Sequence, residues 1–390
     1  PEAAAYLGFH CSTSDSSSSP SPTSTPTSSS RPSPSTTMTP TPSATTTPEP
    51  TVDKMATYSL HALAIGDWGV DLGLGSCCNR YRSTGVDNAE YYKDQQAQQN
   101  VAHLLSLSAK KLKPKVIIGH GDNFYWNGLG SDDVTYRFQN SFEAYYNQDS
   151  LIDIKWVNVA GNHDYGGAMF ICGKWDNQFV ECTSKADLLK QLDEKFTRQS
   201  GYKSPYNDRW QMPARYYVET LKDADSGVTV DIFNVDTNAA TVHGGEQICC
   251  QCYGYKTKYG GDASCNNAST ATWKVVNSHY SPHFHMTPPM MQEWNDVLAA
   301  TGVHLFMNGH THAESHEYDY ATNISTVWIG HDTPYGIFEL YFGKQQMKLQ
   351  FITFDDAWQF KKSSADTVKG DGQVGHCWLI PKDGSKGEEC

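Results

Sequence analysis

The residues best suited to chemistry follow an apolar run, Val116–Ile118, that breaks off into glycine-rich chain. Asp122 and Tyr125 come a few positions later, in the order Gly-Asp-Asn-Phe-Tyr. A carboxylate can bridge two cations with its two oxygens, and a phenolate oxygen favours a hard trivalent metal. Apolar runs that end at glycine are typical of buried strands, and α/β proteins usually keep their chemistry at the mouths of such strands. One motif alone is weak evidence, because a Gly-Asp turn gives the same string.

Four further apolar runs end in side chains that can bind metals. They are Ala62–Ile65 before Asp67, Trp156–Val159 before Asn162 and His163, Trp273–Val276 before His279, and Val303–Met307 before His310 and His312. Each one alone has a plainer explanation, since a Gly-Asp pair is most often a turn and a lone histidine is most often a surface or core residue. Five such endings in one chain are hard to obtain by chance. We therefore expect them to converge on one metal site.

With these motifs the chain resembles the purple acid phosphatases, a group within the metallophosphoesterases. The resemblance is carried by five blocks, namely Asp67-x-Gly69, Gly121-Asp122-x-x-Tyr125, Gly161-Asn162-His163, Val276-x-x-His279 and Gly309-His310-x-His312. The catalytic region has no β domain before it, and so looks like the small, mammalian-type tartrate-resistant acid phosphatases. The likeness covers roughly residues 58–355 and leaves out the N-terminal segment and the C-terminal end.

The resemblance implies a two-metal site and an assignment of its ligands. One ion, Fe(III), would be held by Asp67, Tyr125 and His312. The other ion, Fe(II), Zn(II) or Mn(II), would be held by Asn162, His279 and His310, with Asp122 bridging the two. Ligand hardness agrees with this division, because carboxylate and phenolate suit Fe(III), whereas two imidazoles and an amide suit a divalent ion.

The same resemblance implies a secreted acid phosphatase that hydrolyses phosphate monoesters. Two cations about 3.5–4 Å apart would lower the pKa of bound water, and the metal-bound hydroxide would attack phosphorus in line with the leaving alcohol. His163 is expected to orient the phosphate and protonate the leaving oxygen. Family members carry another histidine a few residues after the position of His279; here His283 or His285 could fill that place, since the spacing departs from the pattern. Asp164 either supports His163 or is a turn residue.

The N-terminal residues differ in composition from the rest of the chain. After a short apolar head at residues 1–11, a stalk covers residues 12–53, and 35 of the 40 residues from 12 to 51 are Ser, Thr or Pro. Such a stretch cannot bury a core and is typical of an extended, O-glycosylated segment. In polyproline II form it would reach about 120 Å, whereas a globule of this size has a radius of gyration of only about 20 Å. The head could therefore dock on a neighbouring subunit.

Two other functions stay open alongside the phosphatase. One is a structural subunit of an extracellular glycosylated filament, built on a phosphatase domain and assembled head-to-tail through residues 1–53. The odd number of cysteines, 11, favours it, because at least one thiol lacks an intrachain partner and Cys11 is the isolated one. The plainer reading is a disordered tail with a free or capped cysteine.

The other function is a phosphodiesterase of the same superfamily, which Tyr125 disfavours because that branch usually lacks the tyrosine ligand.

The net charge and the number of cysteines limit which partners the protein can bind and which cellular compartment suits it. A net charge of −13 argues against nucleic acid and against an anionic membrane surface as partners. No apolar run approaches the about 18 residues of a membrane span. Eleven cysteines fit an oxidising compartment, and Asn267 and Asn323 begin N-glycosylation patterns, which agree with secretion. The chain starts at Pro1, so a signal peptide is expected to have been removed or not included.

Strands and helices alternate irregularly after the stalk, which predicts an α/β or α+β class. The resemblance implies a calcineurin-like metallophosphoesterase four-layer sandwich over residues 54–390, with two mixed β-sheets flanked by helices. Predicted helices are Glu90–Leu112, Lys185–Arg198 and a segment from Thr287 to about Ala300. Predicted strands are His61–Ile65, Ile154–Val159, Val228–Val235, Lys274–Val276 and Val303–Met307. A closing β meander is predicted from Thr326–Gly330, Gly336–Phe342 and Gln345–Phe354.

The remaining cysteines form four groups with no catalytic motif, of which the first is the adjacent pair Cys77 and Cys78. A Gly/Tyr-rich insertion at residues 243–269 holds Cys249, Cys250, Cys252 and Cys265. It could bind zinc, but clusters in secreted proteins usually form disulfides. It could overhang the metals or be a stapled surface loop. Cys172 and Cys182 flank a possible closed loop. Cys377 and Cys390 either tie down an irregular C-terminus, residues 356–390, or receive Cys11 from a neighbour.

Overall fold

The computed structural model describes residues 57–70, 88–166, 171–175, 178, 180, 182–238, 270–281, 298, 302–310, 315–319, 324–328, 335–354 and 371–390. Several sequence predictions lie outside the described residues: the head and stalk, the insertion 243–269, the glycosylation acceptors Asn267 and Asn323, His283, His285, His312 and most of the helix predicted from Thr287. Within the described residues, every helix is too short or too polar to serve as a membrane span.

Two mixed β-sheets form the framework, as the predicted class requires. The strands, numbered in chain order, are β1 (Tyr58–Ile65), β2 (Val116–Gly119), β3 (Lys155–Asn158), β4 (Trp210–Gln211), β5 (Tyr216–Lys222), β6 (Thr229–Val235), β7 (Trp273–Ser278), β8 (Leu305–Asn308), β9 (Ser315–Asp319), β10 (Ile324–Trp328), β11 (Gly336–Gly343), β12 (Gln346–Thr353), β13 (Gln373–Pro381) and β14 (Glu388–Glu389). The eight-stranded sheet has the order β14-β13-β12-β11-β1-β2-β3-β4, and the six-stranded sheet has the order β5-β6-β7-β8-β10-β9.

Among the described residues, the helices are fewer than the strands and lie in the segments that connect them. They are α1 (Asn88–Leu112), α2 (Val134–Arg137), which continues as a π-helix over Phe138–Glu143, a 3₁₀ turn over His163–Tyr165, and α3 (Lys185–Ser200). Helix α1 ends where the sequence predicts, two residues before Pro114, which cannot continue a helix. Helix α3 begins at the cap Ser184, whose hydroxyl accepts a hydrogen bond from the backbone N–H of Asp187 at 3.1 Å.

Parallel pairing brings several strands to an end at one edge of each sheet. In the eight-stranded sheet, β1, β2 and β3 are parallel, and Ile65 pairs with Gly119, which in turn pairs with Asn158. In the six-stranded sheet, β6, β7 and β8 are parallel, with Val235 opposite Ser278. The loops that follow these strands therefore start side by side.

Alternating side chains of β1 explain how the layers pack. Leu60, Ala62 and Ala64 join a buried cluster that contains strands of both sheets. Leu63 and Ile65 point the other way, into a cluster that includes α1. This period of two is what a strand covered on both faces requires. The structure thus has a helix layer on the eight-stranded sheet, two sheets face to face, and a fourth layer that stays a prediction.

Two predictions about the C-terminal part differ from the structure. The strand near Thr326 does not belong to a meander with its successors, because β10 pairs with β8 and β9 in the six-stranded sheet. The meander is instead formed by β11, β12 and β13. The predicted irregular C-terminus, 356–390, contains two strands, β13 and β14, because the backbone of β13 pairs with β12 and its residues Leu379 and Ile380 are buried.

Two disulfides hold described loops. Cys172 is bonded to Cys182, which confirms the closed loop predicted between them. Cys377 is bonded to Cys390, across the turn between β13 and β14. Since each partner is already used, neither Cys377 nor Cys390 is available to receive Cys11 from a neighbour.

A buried ion pair ties the π-helix to the segment before β4. Arg209 Nη2 lies 2.6 Å from Glu143 Oε2, and the two side chains are only 1% and 2% exposed. Glu143 also accepts hydrogen bonds from Tyr202 and Ser204. A buried charge that loses its partner is strongly destabilising, whereas an exposed pair contributes little. This contrast can be measured within the chain, because Lys203 and Asp208 form an exposed pair.

We predict that Glu143→Gln lowers the free energy of unfolding by about 3–5 kcal/mol, because it leaves the Arg209 charge buried without a counter-charge. The matched control, Asp208→Asn, should change it by no more than about 1 kcal/mol. Urea denaturation of the metal-free protein measures both. Equal losses for the two variants would contradict the ranking.

Candidate metal centre

Six of the seven predicted ligands lie in the described residues, and the structure brings all six together. Each follows a strand: Asp67 after β1, Asp122 and Tyr125 after β2, Asn162 after β3, His279 after β7 and His310 after β8. Because β1, β2 and β3 are parallel in one sheet and β7 and β8 are parallel in the other, their carboxyl ends meet at one side of the sandwich. The seventh, His312, lies outside the described residues.

One group of contacts joins the oxygen donors. The hydroxyl of Tyr125 lies 3.1 Å from Asp67 Oδ1 and 3.1 Å from Asp122 Oδ2. The backbone N–H of His310 donates to both oxygens of Asp67, at 3.2 and 3.1 Å. Tyr125 thus lies between the two carboxylates, and Asp67 is anchored to the loop that carries His310.

A second group of contacts joins the nitrogen donors to an amide. Asn162 Oδ1 lies 3.0 Å from His279 Nε2 and 3.1 Å from His310 Nδ1. Asp122 Oδ2, the oxygen that faces Tyr125, is 3.5 Å from His279 Nε2. The Asp122 carboxylate therefore faces both groups. Donor atoms of Asp122, His279 and His310 all lie within 4.8 Å of one another, a spacing at which they could hold a metal ion.

The proton on His279 tests whether a cation fits here. Its Nδ1 lies 2.9 Å from the carbonyl oxygen of His120, which can only accept, so Nδ1 carries a proton. In the neutral ring, Nε2 then presents a lone pair toward the oxygens of Asn162 and Asp122. Acceptors that face one another in a buried site call for a cation between them. Ligand atoms about 2.1 Å from one cation, at right angles, would lie about 3 Å apart, which matches these spacings.

The electrostatics of the site also favour cations. Burial alone would raise the pKa of Asp122, but the positive charges that His279, His163 and His310 carry when protonated outweigh it and hold that pKa below its usual value. When the rings are neutral, a bound cation would supply the positive charge in their place. Burial, together with the charges of Asp122 and Asp67, raises the pKa of Tyr125 well above its ordinary value. Asp122 therefore stays ionised. Without a cation Tyr125 stays protonated; a bound cation would reverse this, because a positive charge favours the deprotonated oxygen.

Three of the predicted ligands have strained backbone, as do three other non-glycine residues among those described. Asp67, Asp122 and His310 have φ values of 56°, 50° and 71°, in the left-handed region that residues with a side chain rarely adopt. Such conformations cost of order 1–3 kcal/mol each and persist where the surroundings enforce them. Gly161 illustrates the crowding, because a Cβ there would lie 2.2 Å from Asp122 Oδ1. The glycine in this motif is thus required by close approach to a carboxylate.

His163 lies at the edge of the cluster, half-buried. Its backbone N–H donates to Asp122 Oδ1 at 2.8 Å, and its Nδ1 lies 2.7 Å from the carbonyl oxygen of Trp126. A carbonyl only accepts, so Nδ1 carries a proton and Nε2 is the nitrogen whose protonation can change. The catalytic role of His163 stays a prediction. His283 and His285, predicted for a related role, lie outside the described residues.

Asp164 has a larger role than the sequence suggested. Its buried carboxylate accepts hydrogen bonds from the backbone N–H groups of Asn123, Phe124 and Gly161 and from the side chains of Asn123 and Gln199. Burial and the charge of Asp122 raise the pKa of Asp164, and the hydrogen bonds from Gly161, Asn123 and Gln199 oppose that rise because they stabilise the ionised form. The carboxyl group holds the loop after β2, the loop after β3 and helix α3 in one arrangement. A turn residue and an organising residue look alike in a sequence, so this role was not predicted.

Sequence reasoning also missed a polar pair behind His279. His120 and Asn277 are fully buried and joined by a 2.6 Å contact between His120 Nδ1 and Asn277 Oδ1. Burial lowers the pKa of His120 to about 4, so its ring is neutral above that pH. The only signal in the sequence is a histidine at the end of an apolar strand, directly before the Gly-Asp motif.

The profile of the Calcineurin-like phosphoesterase family matches residues 60–314, more than half of the chain. The chain belongs to this family. One relative of this chain is tartrate-resistant acid phosphatase type 5 of Sus scrofa, which is 29% identical over 178 residues. The aligned segment covers 46% of this chain and 39% of that protein. Another is purple acid phosphatase 7 of Arabidopsis thaliana, 26% identical over 330 residues, 78% of this chain and 83% of that protein.

Among solved structures, GAP50, the anchor in the inner membrane complex of Plasmodium, superposes with a TM-score of 0.50 and 12% identity, covering 81% of this chain and 90% of that chain. At this identity the likeness shows the fold alone. The sequence relatives confirm the resemblance to purple acid phosphatases across much of the chain. The chain spans well under half of the pig enzyme but most of the plant protein.

We predict that Asp164→Asn, which keeps the shape but turns an acceptor into a donor against the surrounding N–H groups, lowers the free energy of unfolding by about 1–3 kcal/mol. Urea denaturation of the metal-free protein measures the loss. Asp383→Asn is the control, because Asp383 accepts two hydrogen bonds from Ser385 in an exposed turn. An Asp164 variant that matches the control would show that the buried network does not organise the site.

Proposed function

We propose that the protein is a secreted acid phosphatase that hydrolyses phosphate monoesters with two metal ions. The observation that carries the proposal is the buried carboxylate of Asp122, whose Oδ2 lies 3.1 Å from the hydroxyl of Tyr125 and 3.5 Å from Nε2 of His279, so that it contacts both groups of predicted ligands. A phosphoesterase family assignment and purple acid phosphatase relatives point to the same chemistry.

The ligand assignment follows the division of donors. Fe(III) would be held by Asp67, Tyr125 and His312, a divalent ion (Fe(II), Zn(II) or Mn(II)) by Asn162, His279 and His310, with Asp122 shared between them. Hard oxygen donors suit the trivalent ion, and imidazoles with an amide suit the divalent one. The contacts support this division for the six described residues, because Tyr125 groups with Asp67, and Asn162 groups with the two histidines.

The protein side of the reaction can be derived from the described residues. Two cations bound there would lower the pKa of water and neutralise charge on the phosphate. Tyr125 would give up its hydroxyl proton on coordination, as an oxygen does beside a strong positive charge. His163 Nε2 is the atom we assign to orienting the phosphate and protonating the leaving oxygen, since Nδ1 is committed to Trp126. His283 or His285 would assist it.

Secretion rests on several observations that agree with one another. Two disulfides are formed in the described residues, and disulfides persist in oxidising compartments. The stalk at residues 12–53 suits O-linked glycans, and Asn267 and Asn323 suit N-linked ones. An acid phosphatase outside the cell would meet monoester substrates there.

The Tyr125 phenolate gives the sharpest test. We predict that the iron-loaded protein shows a phenolate-to-Fe(III) charge-transfer band in the visible range and that Tyr125→Phe abolishes it while the protein remains folded. Tyr146→Phe is the matched control, because Tyr146 is equally buried but belongs to the core cluster around α1. A wild-type protein that binds iron without this band would contradict the assignment.

Substrate class needs a separate comparison. Hydrolysis of p-nitrophenyl phosphate should exceed hydrolysis of its bis-ester, and a chelator should abolish the activity. The reverse preference would favour a phosphodiesterase of the same family.

A structural function is a second candidate, supported by the sequence of residues 1–53 and by the odd number of cysteines. It would assemble chains head-to-tail through the stalk, with Cys11 forming a bond between chains. Gels with and without reductant test the covalent version. We predict a reducible oligomer that Cys11→Ser abolishes; a monomer under both conditions would contradict covalent assembly, and dispersed particles in negative stain would contradict a filament.

A further inference from the structure

His120 belongs to none of the family motifs, yet the site surrounds it. It stands between β2 and the Gly-Asp motif, and its side chain is fully buried. Its backbone N–H donates to the carbonyl of Ile65 at 3.0 Å, which fixes the peptide against β1. Its carbonyl oxygen accepts from His279 Nδ1 at 2.9 Å. Any movement of the His120 peptide would therefore turn the ring of a predicted ligand.

A chain of amides fixes how the His120 ring is protonated. Asn277 Nδ2 donates to the carbonyl of Gly119 at 3.0 Å and to Asn234 Oδ1 at 2.8 Å. Because a carbonyl can only accept, the Asn277 amide must turn its nitrogen toward Gly119 and its oxygen toward His120. His120 Nδ1 is therefore the donor in the 2.6 Å contact with that oxygen.

The other ring nitrogen of His120, Nε2, makes no such hydrogen bond among the described residues. His120 Nε2 is buried and has no hydrogen-bond partner among the described residues. The ring thus contributes one hydrogen bond, at Nδ1, and that bond anchors the residue whose carbonyl orients His279.

We propose that His120 is a positioning residue for His279: its side chain, locked by Asn277, sets the carbonyl that holds Nδ1–H and aims Nε2 at the divalent ion. The proposal rests on the proposed two-metal function. Partners of this kind behind a ligating histidine fix its tautomer and orientation, and losing one typically reduces metal affinity by about 10–100-fold. The carbonyl of His120 stays when its side chain is replaced, so losing only the side-chain anchor should cost near the lower end of that range. Tyr125 and Asp67 are assigned to the other ion, so the effect should fall on the divalent ion.

The test compares two variants of nearly equal size in the full-length protein. His120→Leu removes the donor, whereas His120→Asn places an amide N–H where Nδ1 was. We expect His120→Leu to weaken binding of the divalent ion, titrated as Zn(II), by about tenfold, the lower end of the range for such partners, while the iron content and the phenolate band stay. His120→Asn should recover most of the lost affinity. The loss in the Leu variant should be offset by excess Zn(II), which a misfolded protein would not allow.

Three results would overturn the proposal: wild-type Zn(II) affinity in His120→Leu, no recovery in His120→Asn, or recovery only in His120→Gln, which places its N–H at the position of Nε2. If His120→Leu does not fold, ¹⁵N NMR of the zinc-loaded wild-type chain decides instead. We expect His120 protonated at Nδ1 and bare at Nε2; the opposite tautomer would overturn the proposal. Failure of the proposed function is distinguishable, because a wild-type protein without two bound ions fails before any variant is compared.

Discussion

The whole arrangement depends on keeping one carboxylate, that of Asp122, ionised inside the protein. An isolated buried charge is very costly, so the structure surrounds it with donors and imidazoles: the Tyr125 hydroxyl, the His163 N–H and the ring of His279. Oxygen donors and nitrogen donors both reach this one carboxylate. An anion shared in this way would be the electrostatic basis for the pair of cations that we propose.

The rest of the fold serves to bring that anion and its neighbours together. Parallel strands end level in each sheet, and the buried cluster between the sheets sets the distance between those ends. Left-handed backbone at Asp67, Asp122 and His310 turns the side chains inward at a cost in free energy. Asp164 and His120 then hold the strained loops from behind, through hydrogen bonds that are all buried.

The sequence predicted the strand ends well, because an apolar run followed by glycine and a metal-binding side chain is a local pattern. It did not predict which sheet a strand joins: β10 looks like the first strand of a meander, but its partner β8 is determined by contacts distant in the chain. Nor did it identify Asp164 or His120 as organising residues. Asp164 acts through five hydrogen-bond donors that come from two loops and from helix α3. His120 acts through its backbone carbonyl, which accepts a hydrogen bond from His279. Neither set of contacts can be recognised from the order of the residues.

The most direct measurement is an X-ray crystal structure of the purified protein, with anomalous scattering recorded at the iron and zinc absorption edges. Two ions are expected, both within bonding distance of Asp122, with iron beside Tyr125 and the divalent ion beside Asn162 and His279. A single ion, or two ions of which neither contacts Asp122, would contradict the claim that this carboxylate is shared.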